Sequence, residues 1–526
     1  MTTAEPRSDP ATITVRNPAD GRTVGSVPVD EPDTVAAKAR ELRLAQTEWE
    51  SIGPRSRKTW MLKWQNWVLD NADHLTEVLM SETGKSRGDA SVEPVAVADA
   101  IDYWAGNAEA FLTDRTAKPH TPLYRVKKLT TVYRPFPLVG IIEPWNFPLA
   151  MLALDVVPAL AAGAAVMLKP SEVTPLSAVE FVRGWVEVGA LPVLAVSTGY
   201  AATGQAVIQN SDYVHFTGST ATGRKVAVAC AERLTPFSLE LGGKDPAIVL
   251  ADADLDRAAN GIAWGGMFNS GQVCISVERV FVEAPVYDEF VGKLTERVRN
   301  IKQGSESGGG LRYDTGAMAT AAQRDIVERH VNEATAAGAR ILTGGTKTGV
   351  GTFFSPTVLA DVDPAMSCMT EETFGPTLPV LKVADEEEAI RMANDSTYGL
   401  SASVWTGDTK RGQRVARRLE CGAVNINDAL INVFCPSLPM GGWKDSGIGY
   451  RAGGPNGVLK FCRQQAITAP RIPTQKSEPL WYSAPKGQYR FALAAMRAFS
   501  AHGWRRLGGH LGTSSRMSPD GTGRTG

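Results

Sequence analysis

Two residues with complementary chemistry stand in short glycine-containing segments near the middle of the chain. Glu240 lies in Leu-Glu-Leu-Gly-Gly-Lys, and Cys274 ends Phe-Asn-Ser-Gly-Gln-Val-Cys. A thiol beside flexible backbone is a candidate nucleophile, and a carboxylate is a candidate base for that thiol or for a water molecule. Taken singly, a buried structural cysteine and a surface glutamate are the commoner cases. If both side chains face one cleft, the sequence predicts covalent catalysis at an electrophilic carbon.

A third polar group stands in a stiff segment, Glu-Pro-Trp-Asn-Phe-Pro (143–148), which follows a short apolar run (138–142). The two prolines restrict the backbone, so the amide of Asn146 could be held where an oxyanion develops. Capping of the next helix is an equally good interpretation of this asparagine.

Apolar runs alternate with turns and helical patterns from about residue 136 onward. The runs at 138–142, 164–168 and 213–216 each end in polar, glycine or proline residues and lead into a helical pattern. This rhythm is typical of parallel strands whose ligand-binding loops lie at their carboxyl ends. The sequence therefore predicts an α/β fold.

Two of these loops carry groups that suit a dinucleotide. Gly218, Ser219 and Gly223 open a helix, where glycines let the backbone approach a pyrophosphate, although an ordinary turn is the alternative. Lys169 and Glu172 could bind ribose hydroxyls, or they could form a solvated charge pair. A carboxylate at Glu172 would repel a 2′-phosphate and so favours NAD over NADP.

Composition excludes several classes of protein. The 526 residues are 43% hydrophobic, which predicts two or more domains. A net charge of −1 gives no general electrostatic basis for binding nucleic acid. Six scattered cysteines without a CxxC pair and only six histidines predict no metal site, and such thiols fit a reducing compartment. The start of the chain has no apolar signal-peptide core, so we expect the cytoplasm.

The segments between the loops give further expectations. Residues 31–104 read mostly as helix, with Pro94 in a first helical turn. The stretch 149–168, interrupted by Asp155 and Pro158, predicts a buried helix that leads into a strand. Residues 489–507 can form an amphipathic helix that either rests on a membrane or docks on the protein itself.

Alternation of apolar and polar residues at 122–140 predicts a β-hairpin with exposed edges.

Together these segments resemble the NAD(P)-dependent aldehyde dehydrogenase superfamily. The resemblance runs from about residue 13 to about residue 470, and seven blocks occur in the family's order at matching spacing. They are EPWNFP (143–148), LKPSEVTP (168–175), FTGSTATG (216–223), LELGGK (239–244), FNSGQVC (268–274), EETFGP (371–376) and PMGGWKDSG (439–447). With seven blocks in the family's order, a chance match is not a serious alternative to the resemblance.

The resemblance implies a role for each block. Cys274 would attack an aldehyde to give a thiohemiacetal, with the Asn146 amide and the Cys274 backbone N–H stabilising the oxyanion. Hydride transfer to NAD, with NADP as the alternative, would leave a thioester that Glu240 hydrolyses by activating water. The residues implied in cofactor binding are Trp145, Lys169, Glu172, Gly218, Ser219, Gly223, Glu372 and Phe374. The residues implied in lining the aldehyde tunnel are Met151, Leu154, Val273, Ile275 and Met440, of which Val273 and Ile275 could equally serve packing alone.

The family fold implies a Rossmann-like NAD-binding domain, an α/β catalytic domain and a small β oligomerisation flap. The flap implies a homodimer or a homotetramer. The implied segments are 1–121 with 141–240 for the NAD-binding domain, 241–445 for the catalytic domain, 122–140 with 446–476 for the flap and tail, and 477–526 for an amphipathic and disordered extension.

Two positions depart from the family pattern. Many relatives carry a lysine nine residues after the oxyanion asparagine and a glutamate after the last Ser-Gly-x-Gly, whereas this chain has Asp155 and Arg451 there. Because the charges are exchanged, we predict an Asp155–Arg451 ion pair, which side chains more than about 6 Å apart would contradict. Arg451 then cannot be a base, and the proton of Glu240 leaves by a modified path.

The implied tunnel is apolar, so we expect an apolar aliphatic or aromatic aldehyde as substrate. One type of succinic semialdehyde dehydrogenase carries an arginine at the position of Leu154, so that activity is the first alternative. CoA-acylating dehydrogenation is the second, although relatives of that kind generally lack the base at Glu240. The intact set of Cys274, Glu240 and Asn146 argues against a non-catalytic scaffold.

Overall fold

The computed structural model describes residues 11–306 and 309–501, which fall into two compact units. The first unit contains Met1–Leu112 and Pro135–Arg463, and the second contains Thr113–Arg134 and Gln464–Gly526. The candidate site lies entirely in the first unit.

Helices and strands alternate along most of the chain. The helices are α1 (Pro32–Ser51), α2 (Gly53–Asp70), α3 (Ala72–Thr83), α4 (Arg87–Phe111), α5 (Ala150–Ala162), α6 (Leu176–Glu187), α7 (Ala201–Asn210), α8 (Thr220–Ala231), α9 (Leu255–Met267), α10 (Tyr287–Arg299), α11 (Ala321–Ala336), α12 (Ser367–Thr370), α13 (Glu386–Asn394), α14 (Thr409–Ala416), α15 (Pro455–Leu459) and α16 (Lys486–Ser500). The strands are β1 (Thr12–Arg16), β2 (Thr23–Pro28), β3 (Arg115–Ala117), β4 (Lys127–Pro135), β5 (Leu138–Ile142), β6 (Ala165–Lys169), β7 (Leu194–Val196), β8 (Tyr213–Thr217), β9 (Phe237–Glu240), β10 (Asp245–Val249), β11 (Val277–Glu283), β12 (Arg340–Thr343), β13 (Thr357–Ala360), β14 (Thr377–Val383), β15 (Tyr398–Gly399), β16 (Ser401–Trp405), β17 (Ala423–Ile426), β18 (Trp443–Lys444), β19 (Gly447–Ile448) and β20 (Cys462–Pro470).

A six-stranded sheet follows the predicted strand, turn and helix rhythm. Its order is β19-β9-β8-β5-β6-β7, with β5 to β9 parallel and β19 antiparallel at the edge. The chain builds outward from β5 through β6 and β7 and then returns to add β8 and β9 on the other side. This doubly wound order opens a crevice at the carboxyl ends of β5 and β8, where such folds bind ligands. The predicted α/β fold with a Rossmann-like part is confirmed.

A seven-stranded sheet forms the second half of the first unit. Its order is β12-β13-β14-β11-β10-β16-β17, and every neighbouring pair is parallel except β12 with β13. Every residue of β10 is buried, and its side chains alternate between two apolar clusters. Ala247 and Val249 enter one cluster, and Ile248 with the following Leu250 enters the other. A sheet covered on both faces explains why its strands read as continuous apolar runs.

Pro94 lies in the interior of α4 and not in a first helical turn, so that prediction is wrong. A proline cannot donate a backbone hydrogen bond to the preceding turn and usually kinks or ends a helix. Helix α4 nevertheless continues to Phe111. Pro94 is itself buried, and α4 packs along its length against α2 and α5. Tertiary packing therefore outweighs the local preference.

Residues 149–168 form the predicted buried helix followed by a strand, namely α5 and β6. Pro158 lies within α5 and does not end it, because nearly every side chain of the helix is buried. None of the helices in the described part of the chain is long and apolar enough to span a bilayer.

The predicted hairpin at 122–140 is wrong. Pro122–Val126 is a 3₁₀ turn, and β4 pairs antiparallel with β3 in a three-stranded sheet of order β20-β4-β3. Strand β5, which was assigned in part to the hairpin, belongs to the six-stranded sheet instead. Strand β4 ends at Pro135, and Pro137 precedes β5, because proline cannot donate to a ladder. Gly447–Ile448 of the predicted tail also joins the six-stranded sheet, where it pairs with β9.

Helix α16 in the second unit is the described part of the predicted amphipathic helix. Leu493 and Met496 are half-buried, and the helix contacts the 3₁₀ turn Pro122–Val126. Arg490 and Arg497 are exposed. The apolar side therefore docks partly on the protein itself. The remainder of the prediction, from residue 502 onward, lies outside the described residues.

Candidate active site

Two cavities of the first unit meet at Asn146 and Cys274, two of the three predicted catalytic residues, whereas the buried Glu240 lines neither cavity. The sheet-edge cavity, of about 310 Å³, lies at the carboxyl ends of β5 and β8 and is lined by Pro144, Trp145, Asn146, Met151, Thr217, Gly218, Ser219, Leu241, Gly242, Cys274, Gln323, Ile326, Glu372 and Phe374. The apolar cleft, of about 90 Å³, is lined by Val92, Glu93, Ala96, Asp99, Ala100, Asn146, Phe147, Ala150, Met151, Leu154, Phe268, Val273, Cys274, Ile275, Leu430, Val433, Phe434, Pro436 and Met440. Asn146, Met151 and Cys274 line both cavities.

Cys274 ends a loop whose backbone is unusual over three consecutive residues. Asn269, Ser270 and Gly271 have φ angles of 52°, 54° and 70°, all in the left-handed region. Only glycine fits the third position, because a Cβ atom on Gly271 would lie 2.2 Å from the carbonyl oxygen of Gly375. Left-handed residues with side chains cost energy and persist only where other contacts hold them.

Hydrogen bonds to Asn146 and Gln272 hold this loop in place. Asn269 Nδ2 donates to the Asn146 carbonyl oxygen at 2.9 Å, and Asn146 Nδ2 donates to the Gln272 carbonyl oxygen at 3.0 Å. Gln272 Nε2 donates in turn to the Asn269 carbonyl oxygen at 2.9 Å. These bonds fix the Asn146 amide beside the residue that precedes Cys274 by two positions.

Asn146 does not cap helix α5, so that alternative is excluded. The backbone N–H groups of Leu149 and Ala150 donate instead to Glu93 Oε2, at 3.0 and 2.9 Å. Asn146 is 4% exposed, and its Oδ1 has no hydrogen-bond partner among the described residues.

Burial sets the protonation of the two reactive side chains. It raises the pKa of the Cys274 thiol to about 12, with Arg451 opposing and the Glu240 charge reinforcing the rise. Burial likewise raises the pKa of Glu240 to about 7, against the lowering effect of Arg451 and Lys460. Glu240 Oε1 has no hydrogen-bond partner among the described residues. A neutral thiol and a carboxyl that titrates near neutral pH are thus electrostatically coupled.

The sheet-edge cavity has the features that a dinucleotide requires. Ser219 caps α8 by accepting from the N–H of Thr222 at 3.3 Å, so the positive end of that helix faces the crevice. Two lining positions leave little room beside the glycine backbone, since a Cβ atom on Gly218 would lie 2.6 Å from the Phe216 ring and one on Gly242 would lie 2.4 Å from the Glu372 carboxyl group. The residues present therefore fit a nicotinamide dinucleotide.

Glu372 and Phe374 lie on the far wall of this cavity. The N–H of Gly243 donates to Glu372 Oε1 at 3.0 Å, and the Phe374 ring meets the Trp145 ring edge-on with centroids 5.5 Å apart. Burial, reinforced by the nearby Glu278 charge, raises the pKa of Glu372 to about 8. Trp145, Gly218, Ser219, Glu372 and Phe374 are thus the predicted cofactor residues that line the cavity.

Three other predicted cofactor residues lie outside the cavity lining. Lys169 Nζ donates to Glu172 Oε2 at 3.3 Å at the end of β6, on the same edge of the sheet. Gly223 lies one turn into α8, where its N–H donates to the Ser219 carbonyl oxygen. A Cβ atom there would lie 2.4 Å from Leu241, so Gly223 serves close packing.

All five predicted substrate residues line the apolar cleft. The lining contains no lysine, arginine or histidine, and its charged members are Glu93 and Asp99. Glu93 is paired with the buried Lys85, and Asp99 is exposed. No described residue of the cleft could therefore neutralise a substrate carboxylate.

The predicted Asp155–Arg451 ion pair is confirmed, with Arg451 Nε 2.7 Å from Asp155 Oδ2. Lys460 Nζ lies 3.0 Å from Asp155 Oδ1, and His215 Nε2 lies 3.2 Å from Asp155 Oδ2. Burial opposes ionisation of Asp155, but its three partners outweigh burial and hold its pKa well below the usual range. Arg451 is therefore a fixed cation and not a base.

Glu143 lies beside this ion pair, and its pKa is shifted in the opposite direction from that of Asp155. Burial and the Asp155 charge raise its pKa well above the usual range, and neither of its oxygens has a hydrogen-bond partner among the described residues. Glu143, Asp155 and His215 bring ligand-type atoms within 4.8 Å of one another, but Arg451 and Lys460 already supply positive charge there.

Sequence reasoning missed part of both cavities. Gln323 and Ile326 lie on α11 and reach the sheet-edge cavity, and no motif marks them. Phe147, Phe268 and Phe434 contribute aromatic surface to the apolar cleft. Phe147 and Phe268 could have been found, because both belong to blocks that also carry a catalytic candidate.

A cysteine-bearing loop at a dinucleotide-type crevice, with a candidate base near enough to raise the pKa of that cysteine, is the arrangement of a cysteine-dependent dehydrogenase. The aldehyde dehydrogenase family model matches residues 5–467, and the chain belongs to that family. The predicted family and the predicted class of enzyme are confirmed.

Similar proteins support this assignment. The Mycobacterium tuberculosis protein named "Putative succinate-semialdehyde dehydrogenase [NADP(+)] 2" is 39% identical over 467 residues, which cover 88% of this chain and 89% of that protein. The structure of a lactaldehyde dehydrogenase from Escherichia coli has a TM-score of 0.84 at 34% identity and covers 88% of this chain and 96% of that one. The structure of an NAD-dependent aldehyde dehydrogenase from Sinorhizobium meliloti has a TM-score of 0.84 at 34% identity, with coverages of 89% and 93%.

Replacement of the buried cation should cost far more stability than replacement of an exposed one. We expect Arg451→Met to lower the free energy of unfolding by about 3–5 kcal/mol, because it leaves the buried Asp155 carboxylate undercompensated. The matched control is Arg224→Met, which removes an exposed pair with Asp445 and should cost about 0–1 kcal/mol. Denaturant unfolding followed by tryptophan fluorescence measures both, and equal losses would contradict the prediction.

Proposed function

We propose that this protein oxidises an apolar aliphatic or aromatic aldehyde to the carboxylic acid with NAD as cofactor. The observation that carries the proposal is the position of Cys274, which lines a dinucleotide-type cavity on one side and, on the other, an apolar cleft with no cation among its described lining residues. An aldehyde carbon held in the cleft at Cys274 would therefore stand beside the cofactor.

Covalent addition makes the oxidation accessible. An aldehyde hydrogen does not leave readily as hydride, whereas the alkoxide formed when the Cys274 thiolate adds to the carbonyl carbon can expel it. The thiol, with its pKa of about 12, must first lose its proton, and Glu240 is the nearby candidate acceptor. The second N–H of the Asn146 amide would stabilise the alkoxide.

The cofactor would be held by the lining of the sheet-edge cavity, with Lys169 and Glu172 reaching its ribose. A bound nicotinamide dinucleotide would accept the hydride that the thiohemiacetal releases. After Glu240 has released the thiol proton to solvent, the thioester on Cys274 reacts with water. Glu240 takes one proton of that water and returns it to the Cys274 thiolate as the acid leaves. Glu172 favours NAD, since its carboxylate would repel a 2′-phosphate.

The cleft separates this proposal from succinic semialdehyde oxidation, the activity in the names of several relatives. A substrate carboxylate buried without a cation loses several kcal/mol of solvation. Leu154 stands where an arginine would bind that carboxylate, and the cleft offers no other cation among its described lining residues.

A panel of aldehydes tests the proposed reaction. We expect NADH formation with hexanal and benzaldehyde to exceed that with succinic semialdehyde, and to be independent of added CoA. Cys274→Ala should lower kcat by at least about 1,000-fold, because the covalent intermediate cannot form. Absorbance of the reduced cofactor, with NAD and NADP in parallel, is the measurement. Turnover that survives Cys274→Ala would overturn the mechanism, and strict CoA dependence would favour the acylating alternative.

Introduction of a cation into the cleft should reverse the substrate preference. We expect Leu154→Arg to raise kcat/KM for succinic semialdehyde and to lower it for hexanal, which changes their ratio by about 100-fold. Leu154→Met is the matched control, since it keeps the size and the apolar character of the side chain. An unchanged ratio in Leu154→Arg would show that residue 154 does not face the bound substrate.

Hydrolysis of the thioester should depend on pH through Glu240. Only the ionised carboxylate can accept a proton from water, so we expect the deacylation rate to rise as pH increases through about 7 and to be lost below it. Arg451 lowers the pKa of Glu240, so Arg451→Met should move the rise to higher pH. Stopped-flow measurement of acyl-enzyme decay gives the profile, and a rise that persists in Glu240→Gln would assign it to another group.

We also propose that the protein is a homodimer or homotetramer in the cytoplasm. Strand β20 lies at the edge of the three-stranded sheet with most of its side chains exposed, including Ile467. An exposed edge strand of this kind is suited to pair with a second copy. The six free cysteines fit a reducing compartment. Contact of α16 with its own unit favours docking over membrane binding.

A further inference from the structure

The segment that carries Glu372 and Phe374 into the sheet-edge cavity is held from behind by Glu278. The backbone N–H of Thr373 donates to Glu278 Oε2 at 2.8 Å, and the backbone N–H of Phe374 donates to Glu278 Oε1 at 2.7 Å. Glu278 lies in β11, is 4% exposed and lines neither cavity.

Phe374 needs such support, because its φ angle of 50° lies in the left-handed region. A bulky side chain is disfavoured there, so the segment would relax without contacts that fix it. The two bonds to Glu278 fix the peptide groups on both sides of Thr373. The Phe374 ring is then aimed at the cavity and against Trp145.

Lys244 completes the support. Its Nζ donates to Glu278 Oε2 at 2.6 Å and to Thr373 Oγ1 at 3.0 Å, and the side chain is fully buried. The residue before it, Gly243, donates its N–H to Glu372 Oε1. Gly243 and Lys244, two consecutive residues of the block that also contains Glu240, therefore hold the segment that carries Glu372 and Phe374.

A carboxylate is required at Glu278. Its two oxygens accept from two backbone N–H groups and one ammonium, and the donors of Thr373 and Lys244 are buried while that of Phe374 is partly buried. An amide would offer one oxygen and would turn its NH₂ group toward a donor, which leaves a buried N–H unsatisfied. Because a buried ion pair commonly adds little net stability, positional control is the better account of its presence.

We propose that Glu278 and Lys244 are positioning residues for cofactor binding, which act by holding Glu372 and Phe374 at the wall of the sheet-edge cavity. The inference rests on the proposed function, since it takes that cavity as the dinucleotide site. It assigns a role in cofactor binding to two residues that line neither cavity, the lysine of the LELGGK block and an acid of a buried strand.

The test compares Glu278→Gln with wild type in two measurements that do not require turnover of the loaded enzyme. The first is the Kd for NAD by quenching of tryptophan fluorescence, which we expect to rise by about 10-fold to 100-fold. The second is acylation of Cys274 by p-nitrophenyl acetate without cofactor, followed by release of p-nitrophenolate. We expect that rate to stay within about 2-fold of wild type, because Glu278 accepts its hydrogen bonds from Lys244, Thr373 and Phe374 and not from the nucleophile loop.

Glu82→Gln is the matched control. Glu82 is also a buried carboxylate that accepts from two consecutive backbone N–H groups, those of Leu176 at 2.7 Å and Ser177 at 3.0 Å, and it lines neither cavity. It should leave the Kd unchanged. An unchanged Kd in Glu278→Gln, or an equal rise in Glu82→Gln, would overturn the proposal.

Two further outcomes are distinguishable. If wild type binds neither NAD nor NADP, the proposed function fails and the inference fails with it. If Glu278→Gln does not fold, Thr373→Val decides in its place, because it removes the hydroxyl that accepts from Lys244 and leaves the backbone intact. A several-fold weaker Kd in Thr373→Val supports the proposal, and an unchanged Kd overturns it.

Discussion

A guanidinium group buried in the protein interior is the charge around which the site is organised. An unpaired cation there would cost several kcal/mol, so Arg451 is tolerable only where an anion meets it. Asp155 on α5 supplies that anion, and His215 on β8 and Lys460 complete the cluster. The pairing ties a residue late in the chain to the helix that follows Asn146. It also places positive charge where it lowers the pKa of both Glu240 and Cys274.

The two cavities differ in the charged and polar groups that line them. The sheet-edge cavity gathers a helix N-terminus, glycine backbone and a buried carboxyl, which together suit a large polar ligand. The apolar cleft offers aliphatic and aromatic side chains and no cation among its described residues. Cys274 lines both cavities, so under the proposed function the sheet-edge cavity would bring the cofactor to the sulfur atom while the cleft would select the aldehyde.

The local sequence pattern was sufficient to predict much of the fold and of the candidate site. Strands β5, β6 and β8 were predictable because each is an apolar run that ends at a ligand loop. The five predicted cleft residues lie within, or at most six positions after, blocks that the family resemblance had identified. The Asp155–Arg451 pair was predictable although 296 positions separate its members, because two exchanged charges are best explained by each other.

Prediction failed where partners distant in sequence decide the outcome. The ladder of β4 could not be read from its own alternation, since its partners β3 and β20 lie on either side of it in the chain. Pro94 is kept inside α4 by packing that no local preference records. Glu278 was missed for a related reason. A charged residue within a buried strand signals that a partner exists, but the partner is a backbone segment almost one hundred residues away.

Burial of Cys274 also bears on how the nucleophile survives between turnovers. Peroxide and other oxidants attack the thiolate far faster than the thiol, and burial, by raising the pKa of Cys274, favours the less reactive thiol while the cleft is empty. The burial that makes proton removal demanding thus protects the sulfur atom from oxidative loss at rest. Reactivity is confined to the interval in which a base has taken the proton.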